Sequence, residues 1–309
     1  MKTLLALPGA AILMLTLLGA GPALAQANDA DSTQKSDAAN EASQAWRPTI
    51  RAGTSGGLGF DSNPGNAESG QTVPATGYVN LQATAASSWD TSRETALLLR
   101  ASVEGQQYFR YTGLSNVSAT LKARELYRPG NGFYVPTFSA WASASAIGAR
   151  SSLRSGAEYH GGVAVAQQVT TVITVVLGGN ASERSAGSDS MKLRFRAATL
   201  DADWQLGEQL SSHLGYEYRS GSFATSSPAD PGALLLSTAR QTDDTLAIAG
   251  TPNVVYRLNG YAHIATAGLN YALTPSLALD AQAQKIHTQA DGGDHYDRWL
   301  VELSLLKRF

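Results

Sequence analysis

The stretch that decides the fold is the last one, YDRWLVELSLLKRF, which runs from Tyr296 to Phe309. Counted back in twos from the terminus, one set of residues is nearly all apolar: Phe309, Lys307, Leu305, Leu303, Val301 and Trp299. The intervening set carries most of the charge: Arg308, Leu306, Ser304, Glu302, Leu300 and Arg298. A period of two residues is that of a β-strand with one apolar and one polar face. The chain therefore ends on a strand that lies between unlike surroundings.

This ending resembles the closing strand of a bacterial outer-membrane β-barrel. In that class a terminal aromatic residue and the alternating apolar residues before it form the assembly signal, which the resemblance places on Val301, Leu303, Leu305 and Phe309. Lys307 departs from the pattern, because the class usually has an aromatic or apolar residue there, but its long side chain can reach the membrane boundary. The resemblance implies two partners, outer-membrane lipid and the barrel-assembly machinery.

The first 25 residues have the features of a secretory signal. A lysine at position 2 precedes a long apolar run, and Ala23-Leu24-Ala25 forms the small-residue cleavage site. We expect cleavage after Ala25, which leaves 309 − 25 = 284 residues, enough for one large all-β domain. A retained transmembrane helix is the alternative. Residues 26–46 are rich in Ala, Asp, Asn and Ser, so we expect a flexible periplasmic segment before a barrel at 47–309.

Composition excludes several classes of protein. The chain has no cysteine, so it has neither a disulfide framework nor thiol chemistry. Its formal net charge of −2 makes no case for a nucleic-acid partner. After the leader no run reaches the ~18 consecutive apolar residues of a spanning helix. Short segments of alternating polarity recur instead, which is the weaker sequence signature of a spanning β-barrel.

We predict an all-β, antiparallel, up-and-down transmembrane barrel of twelve strands. The connections after even-numbered strands are short and those after odd-numbered strands are longer, which is typical of a spanning barrel with both termini in the periplasm. A fourteen-strand barrel, with an extra hairpin between Ser220 and Gly260, and a soluble β-sandwich are the alternatives. In the eighth predicted strand, Met191 to Trp204, the polar phase slips after Arg196, so we predict a β-bulge near Ala198.

Charged residues on the inward parity are candidates for lining a pore, where rings of charge set ion and solute selectivity. Pairing across strands in a narrow, filled barrel is an equally weighted alternative. The candidates are Arg100, Glu104, Arg110, Lys122, Arg124, Lys192, Arg194, Arg196, Glu217, Arg219, Arg298 and Glu302.

Nothing in the sequence predicts a catalytic, metal or cofactor site. The histidines are scattered singly and none lies in a nucleophile motif or at metal-ligand spacing: His160, His213, His263, His287 and His295. His213 does share a face with Glu217, so an outer-membrane lipid hydrolase stays as an alternative function.

The end of the first strand carries a second resemblance. Gly59-Phe60-Asp61-Ser62-Asn63 is similar to the opening of a family of outer-membrane β-barrel porins, several of which accompany exopolysaccharide synthesis and export. The barrels of surface-lipoprotein assembly modifiers look similar here and at the C-terminus, although their tetratricopeptide-type helical domain has no counterpart in this sequence. The resemblance implies a membrane barrel and no reaction.

We therefore expect a monomeric barrel in the outer membrane of a Gram-negative bacterium, acting as a pore for passage or export of hydrophilic solutes, with a possible polysaccharide link. The sequence does not identify the solute. The alternatives are the lipid hydrolase and a closed structural or adhesion barrel that works through the segment from Ser220 to Gly260.

Overall fold

The computed structural model describes residues 49–69, 74–227, 235–248 and 251–309. The predicted leader (1–25) and periplasmic segment (26–46) lie outside these residues. The described chain forms one antiparallel sheet. Its strands are β1 (Thr49–Asp61), β2 (Thr76–Asp90), β3 (Thr95–Tyr108), β4 (Asn116–Tyr127), β5 (Thr137–Ala149), β6 (Gly156–Gln168), β7 (Ile173–Ala186), β8 (Leu193–Gln205), β9 (Leu210–Ser227), β10 (Ala239–Ile248), β11 (Thr251–Thr274), β12 (Leu277–Ala290) and β13 (His295–Arg308).

The sheet closes on itself through twelve of these strands. Strands β1 to β9 pair in chain order, as do β10 to β13, and β13 pairs with β1. β9 pairs directly with β11 and not with β10, so that β10 stands outside the closed ring. The prediction of a twelve-strand barrel is confirmed, and the fourteen-strand and sandwich alternatives are wrong. We call the end that holds Thr49 and Arg308 the turn end, because the short connections lie there, and the opposite end the loop end.

The two-residue period sorts side chains between the outside and the lumen. On β4 the outward Leu121 is 68% exposed, whereas the neighbouring Lys122 and Arg124 point inward and line the lumen. β13 shows the same division, with Val301, Leu303 and Leu305 exposed on the outside. Closure pairs the backbone of both edge strands, so no edge remains along the ring. Within the described residues no helix is long and apolar enough to cross a membrane.

The segment predicted as a long connection, Ser220 to Gly260, is largely strand. β9 continues to Ser227 and β11 begins at Thr251, so these two strands extend beyond the ring and pair with each other there. β8 stops pairing with β9 at Gly221, whose φ of +149° favours glycine, and a Cβ there would lie 2.2 Å from the Arg194 carbonyl oxygen. We call the paired upper parts of β9 and β11, together with β10, the extension.

The bulge predicted near Ala198 is absent. β8 pairs with β7 and with β9 in unbroken register through this residue. The slip in polarity arises because Leu193 and Phe195 face inward at the loop end while Arg194 and Arg196 face outward.

Apolar packing is concentrated at the loop end. One buried cluster contains Tyr78, Tyr108, Tyr111 and Leu114. A second contains Tyr256, Leu258, Ala290 and Tyr296 and joins the extension to β12 and β13. A third, of Ala262, Ile264 and Ile286, joins β11 to β12. These clusters hold the loop end together above a lumen whose wall is mostly polar.

Candidate functional site

The lumen of the barrel forms a cavity of about 520 Å³. That volume lies within the roughly 300–1,000 Å³ of small-molecule sites. Its wall contains side chains from every strand of the ring, and in the half nearer the turn end some of the charged ones are grouped by sign.

A basic wall lies on β3 and β4 in the half of the lumen nearer the turn end. Arg100 and Lys122 are direct cross-strand neighbours, and Arg124 follows two residues further along β4. Lys122 Nζ lies 4.4 Å from the centre of the Trp141 ring, while Arg124 Nη2 donates to Ser139 Oγ at 3.1 Å. Three cations therefore share one wall, beside one indole ring.

An acidic wall lies on β8 and β12, flanking the side of the ring opposite β3 and β4. His213 of β9 stands between two carboxylates, with Nδ1 2.9 Å from Asp203 Oδ1 and Nε2 3.7 Å from Asp201 Oδ1. Asp280 accepts a hydrogen bond from Asn270 at 3.1 Å. The basic and acidic walls face each other across the lumen, because β3 and β4 lie opposite β9 and β11 in a ring of twelve strands.

Nearer the loop end the charged residues are paired or hydrogen-bonded. Arg219 forms an ion pair with Glu217 at 2.6 Å and stacks on Phe195 of β8 at 4.0 Å. Glu302 accepts hydrogen bonds from Tyr78 at 3.1 Å and from Asn80 at 2.5 Å. The charged side chains in this part of the wall are therefore held in place by neighbouring residues of the same wall.

The Asp61-Ser62-Asn63 segment ties the first loop to the last strand. Asp61 is fully buried and accepts two hydrogen bonds from Arg298, while Tyr108 donates to the same carboxylate at 3.3 Å. Ser62 exchanges backbone and side-chain hydrogen bonds with Trp299, since its N–H donates to the Trp299 carbonyl at 3.0 Å and its Oγ accepts from the Trp299 N–H at 2.7 Å.

Asn63 folds the next residues inward. Its side-chain amide donates to the Ala67 and Asp297 carbonyls at 2.8 and 3.0 Å, and its Oδ1 accepts from the Ala67 N–H at 2.8 Å. A single asparagine thus closes a four-residue turn and anchors it to β13.

The folded loop crosses the mouth of the barrel to reach the extension. Asn66 Nδ2 donates to the Ala224 carbonyl at 3.3 Å, Thr225 Oγ1 donates to the Asn66 carbonyl at 2.5 Å, and the Ser226 N–H donates to Gly65 at 2.9 Å. Three strands of the ring, β13, β12 and β11, lie between β1 and β9, so these bonds reach across part of the opening. We call residues 62–69 the mouth loop.

Two further contacts complete the cover over the mouth. Arg154, in the turn between β5 and β6, donates to Ser226 Oγ at 3.3 Å. β10 lies against the turns Thr112–Leu114 and Asp189–Met191, which belong to other sides of the ring. The extension therefore lies over the loop end rather than standing away from it.

The structure places eight of the twelve predicted pore-lining residues in the lumen wall. They are Arg100, Glu104, Lys122, Arg124, Glu217, Arg219, Arg298 and Glu302.

The placement of the other four is wrong. Arg110 is exposed in the connection after β3, and Lys192 is exposed just before β8, where its ammonium donates to Asp189 at 2.7 Å and lowers the pKa of that carboxyl. Arg194 and Arg196 lie on the outside of β8, and Arg194 pairs there with Glu183. The inward positions of β8 are taken by Leu193, Phe195, Thr199 and Asp201.

Sequence reasoning missed Trp141, His160 and Asp201 as lumen residues. The signal for Trp141 is a large aromatic residue on the serine-rich parity of β5, where it follows Ser139 and precedes Ser143. Gly162 of the neighbouring strand leaves room for the indole, because a Cβ there would lie 2.9 Å from the ring.

One group in the lumen contains the residue types of a hydrolase. His160 Nε2 lies 3.0 Å from Glu158 Oε1 and 3.5 Å from Ser182 Oγ. A catalytic relay needs the serine and the acid on opposite ring nitrogens, whereas both contact Nε2 here. In the described part of the chain, no group of three His, Cys, Asp or Glu residues is placed to hold a metal ion.

Solved structures share this architecture. An outer-membrane channel from Pseudomonas putida F1 aligns with a TM-score of 0.52, at 13% sequence identity, over 86% of this chain and 97% of that one. The chain has the fold of an outer-membrane channel. The KdgM porin in complex with disordered oligogalacturonate aligns at 9% identity over 82% and 99% of the two chains, with a TM-score of 0.41.

The DcaP channel of Acinetobacter baumannii aligns at 10% identity over 85% and 97%, with a TM-score of 0.44. No protein-family model matches the sequence, and no curated protein matches it significantly. At these identities the channel fold is shared, and the site must be interpreted from its own residues.

Proposed function

We propose that this protein is an outer-membrane channel for hydrophilic solutes. One observation carries the proposal: a cavity of about 520 Å³ with charged and hydroxyl side chains runs inside a closed barrel whose outer face is apolar. In a barrel that spans a bilayer, the outside meets lipid and the inside meets water and solute. The cations of the basic wall form no ion pair within the described residues, and they favour anions over cations in such a lumen.

The proposed location is the outer membrane of a Gram-negative bacterium, reached after cleavage near Ala25. The barrel-assembly machinery would recognise Val301, Leu303, Leu305 and Phe309, which all lie exposed on the outside of β13 or just beyond it. The proposed polysaccharide link rests on the resemblance of the segment from Gly59 to Asn63 alone.

Single-channel recording of the refolded mature protein in a planar bilayer tests this proposal. We expect discrete conductance steps, with a reversal potential in a salt gradient that indicates anion preference. Swelling of protein-containing liposomes in neutral sugars gives a second readout that does not depend on charge. A folded, heat-modifiable barrel that shows neither conductance nor swelling would contradict the channel.

A second function is favoured by the cover over the loop end. A closed barrel whose extension binds a partner outside the cell fits the bonds between the mouth loop and β9. Absence of conductance in the wild-type protein, together with conductance after the mouth loop is released, would favour this candidate. We do not propose a hydrolase, because the serine and glutamate near His160 share one ring nitrogen.

A further inference from the structure

We propose that the lumen holds a binding subsite for a carboxylated sugar, formed by the basic wall, Trp141 and the acidic wall. This inference deepens the proposed channel function and rests on it, since the channel would bring the solute into the lumen. Each of the three parts recognises one chemical feature of such a ligand.

The three cations of the basic wall form no ion pair within the described chain. Arg100 and Lys122 oppose each other directly across two strands, an arrangement of like charges that destabilises a sheet. Of the residues that the structure describes, none places a carboxylate oxygen within ion-pair distance of Arg100, Lys122 or Arg124.

The acid nearest along β3, Glu104, accepts a hydrogen bond from Gln82 at 3.2 Å instead. The Nε of Arg124 is buried and has no hydrogen-bond partner within the described chain. An anionic ligand would supply the charge and the acceptor that this wall lacks, and guanidinium groups match carboxylates well.

Trp141 supplies an apolar platform beside these cations. It is the cross-strand neighbour of Arg124, and its ring lies over Gly162 and stacks against His160 of the same strand, with ring centroids 6.4 Å apart. The C–H faces of sugar rings pack on aromatic faces, and an indole set among charged groups is typical of a site for a ligand with both characters.

The opposite wall supplies acceptors for hydroxyl groups. Asp201 and Asp280 lie, like Arg100 and Lys122, within six residues of the turn end of their strands, so the two walls face each other at similar depth. Ionised carboxylates only accept hydrogen bonds, and hydroxyl groups can donate them. A simple anion would meet repulsion from this wall, whereas a polyhydroxylated carboxylate satisfies both walls.

Equilibrium binding to the refolded full barrel in detergent, measured by calorimetry, tests the subsite with three probes. These are glucuronate, glucose and acetate. We expect glucuronate to bind at least about tenfold more tightly than either of the others, because only it engages all three parts. Equal affinity for glucuronate and glucose, or for glucuronate and acetate, would overturn the inference.

Variants assign the affinity to the named residues. Lys122→Gln with Arg124→Gln should weaken glucuronate binding about tenfold or more and leave glucose binding unchanged, and Trp141→Leu should weaken the binding of both sugars. Arg194→Gln, on the outside of β8, is the matched control. Unchanged glucuronate affinity in the double variant would also overturn the inference. Because binding is measured without conduction, a barrel that binds glucuronate but does not conduct would contradict the channel and leave the subsite standing.

Discussion

Asp61 and Arg298 form a bidentate ion pair that joins the first strand of the barrel to the last. Nε of Arg298 donates to Oδ1 of Asp61 at 2.9 Å and Nη2 donates to Oδ2 at 2.5 Å, and the carboxylate is fully buried. The two residues are 237 positions apart in the sequence. Asp61 is the residue before the mouth loop, so the same ion pair that joins β1 to β13 also fixes the start of the loop that covers the mouth.

Replacement of Asp61 by Asn should destabilise the barrel strongly. The substitution keeps the size of the side chain but leaves the buried Arg298 without a counter-charge, which costs about 3–5 kcal/mol. The free energy of unfolding, measured by urea titration in lipid vesicles, checks this. Asp189→Asn is the control, since Asp189 and Lys192 form an exposed pair and their loss should not shift the midpoint. Equal midpoints for both variants would show that the buried pair does not stabilise the fold.

Replacement of Asn63 by Ala should release the mouth loop without unfolding the barrel. The variant loses three hydrogen bonds that hold the turn to Ala67 and to Asp297, and none of them belongs to the sheet. We expect larger or more frequent conductance steps at a nearly unchanged unfolding midpoint. Asn131→Ala, in an exposed connection at the turn end, is the matched control. A conductance equal to that of the wild type would mean that the mouth loop does not limit the current.

Gly59 should tolerate no side chain. A Cβ at this position would lie 2.0 Å from the ring of Tyr78, which is buried and hydrogen-bonded to Glu302. Gly59→Ala should therefore cost about 1–3 kcal/mol of stability, the usual penalty for overpacking. Gly207→Ala is the control, because no atom lies within 4 Å of a Cβ there. The unfolding midpoints of the two variants give the comparison, and a neutral Gly59→Ala would disprove the close packing of Tyr78.

Ion selectivity should respond to Lys122 and not to Arg194. Lys122→Glu places an acid in the basic wall of the lumen, so the reversal potential in a salt gradient should move toward cation preference. Arg194→Glu changes a charge on the outside of β8, where the side chain is exposed and close to Glu183. Its reversal potential should equal that of the wild type. The opposite result would place Arg194 in the conduction path.

Much of the barrel could be predicted because its two faces meet different surroundings. On β4 every second residue from Val117 to Ala123 is apolar, and this alternation assigns Lys122 and Arg124 to the lumen without any knowledge of the neighbouring strands. The strand count followed from repetition of that pattern.

The same reasoning failed where the polarity of the two faces is reversed. At the loop end of β8 the exposed outer surface accommodates Arg194 and Arg196, and the lumen accommodates Phe195 under Arg219. The alternation of polar and apolar residues therefore assigned Arg194 and Arg196 to the lumen, although they lie on the outside of β8. In the Asp61-Ser62-Asn63 segment the sequence showed that a motif was present, but its partners lie more than 230 residues away.

The sequence by itself determined the antiparallel barrel, its twelve strands and the polar character of its lumen, because a period of two residues depends only on local chain geometry and on the contrast between inside and outside. The tertiary structure alone decided which charges face each other, that the mouth loop crosses the opening to Ser226, and that β9 and β11 continue past the ring. Those features depend on contacts between distant strands and on the register of closure, which no local pattern contains.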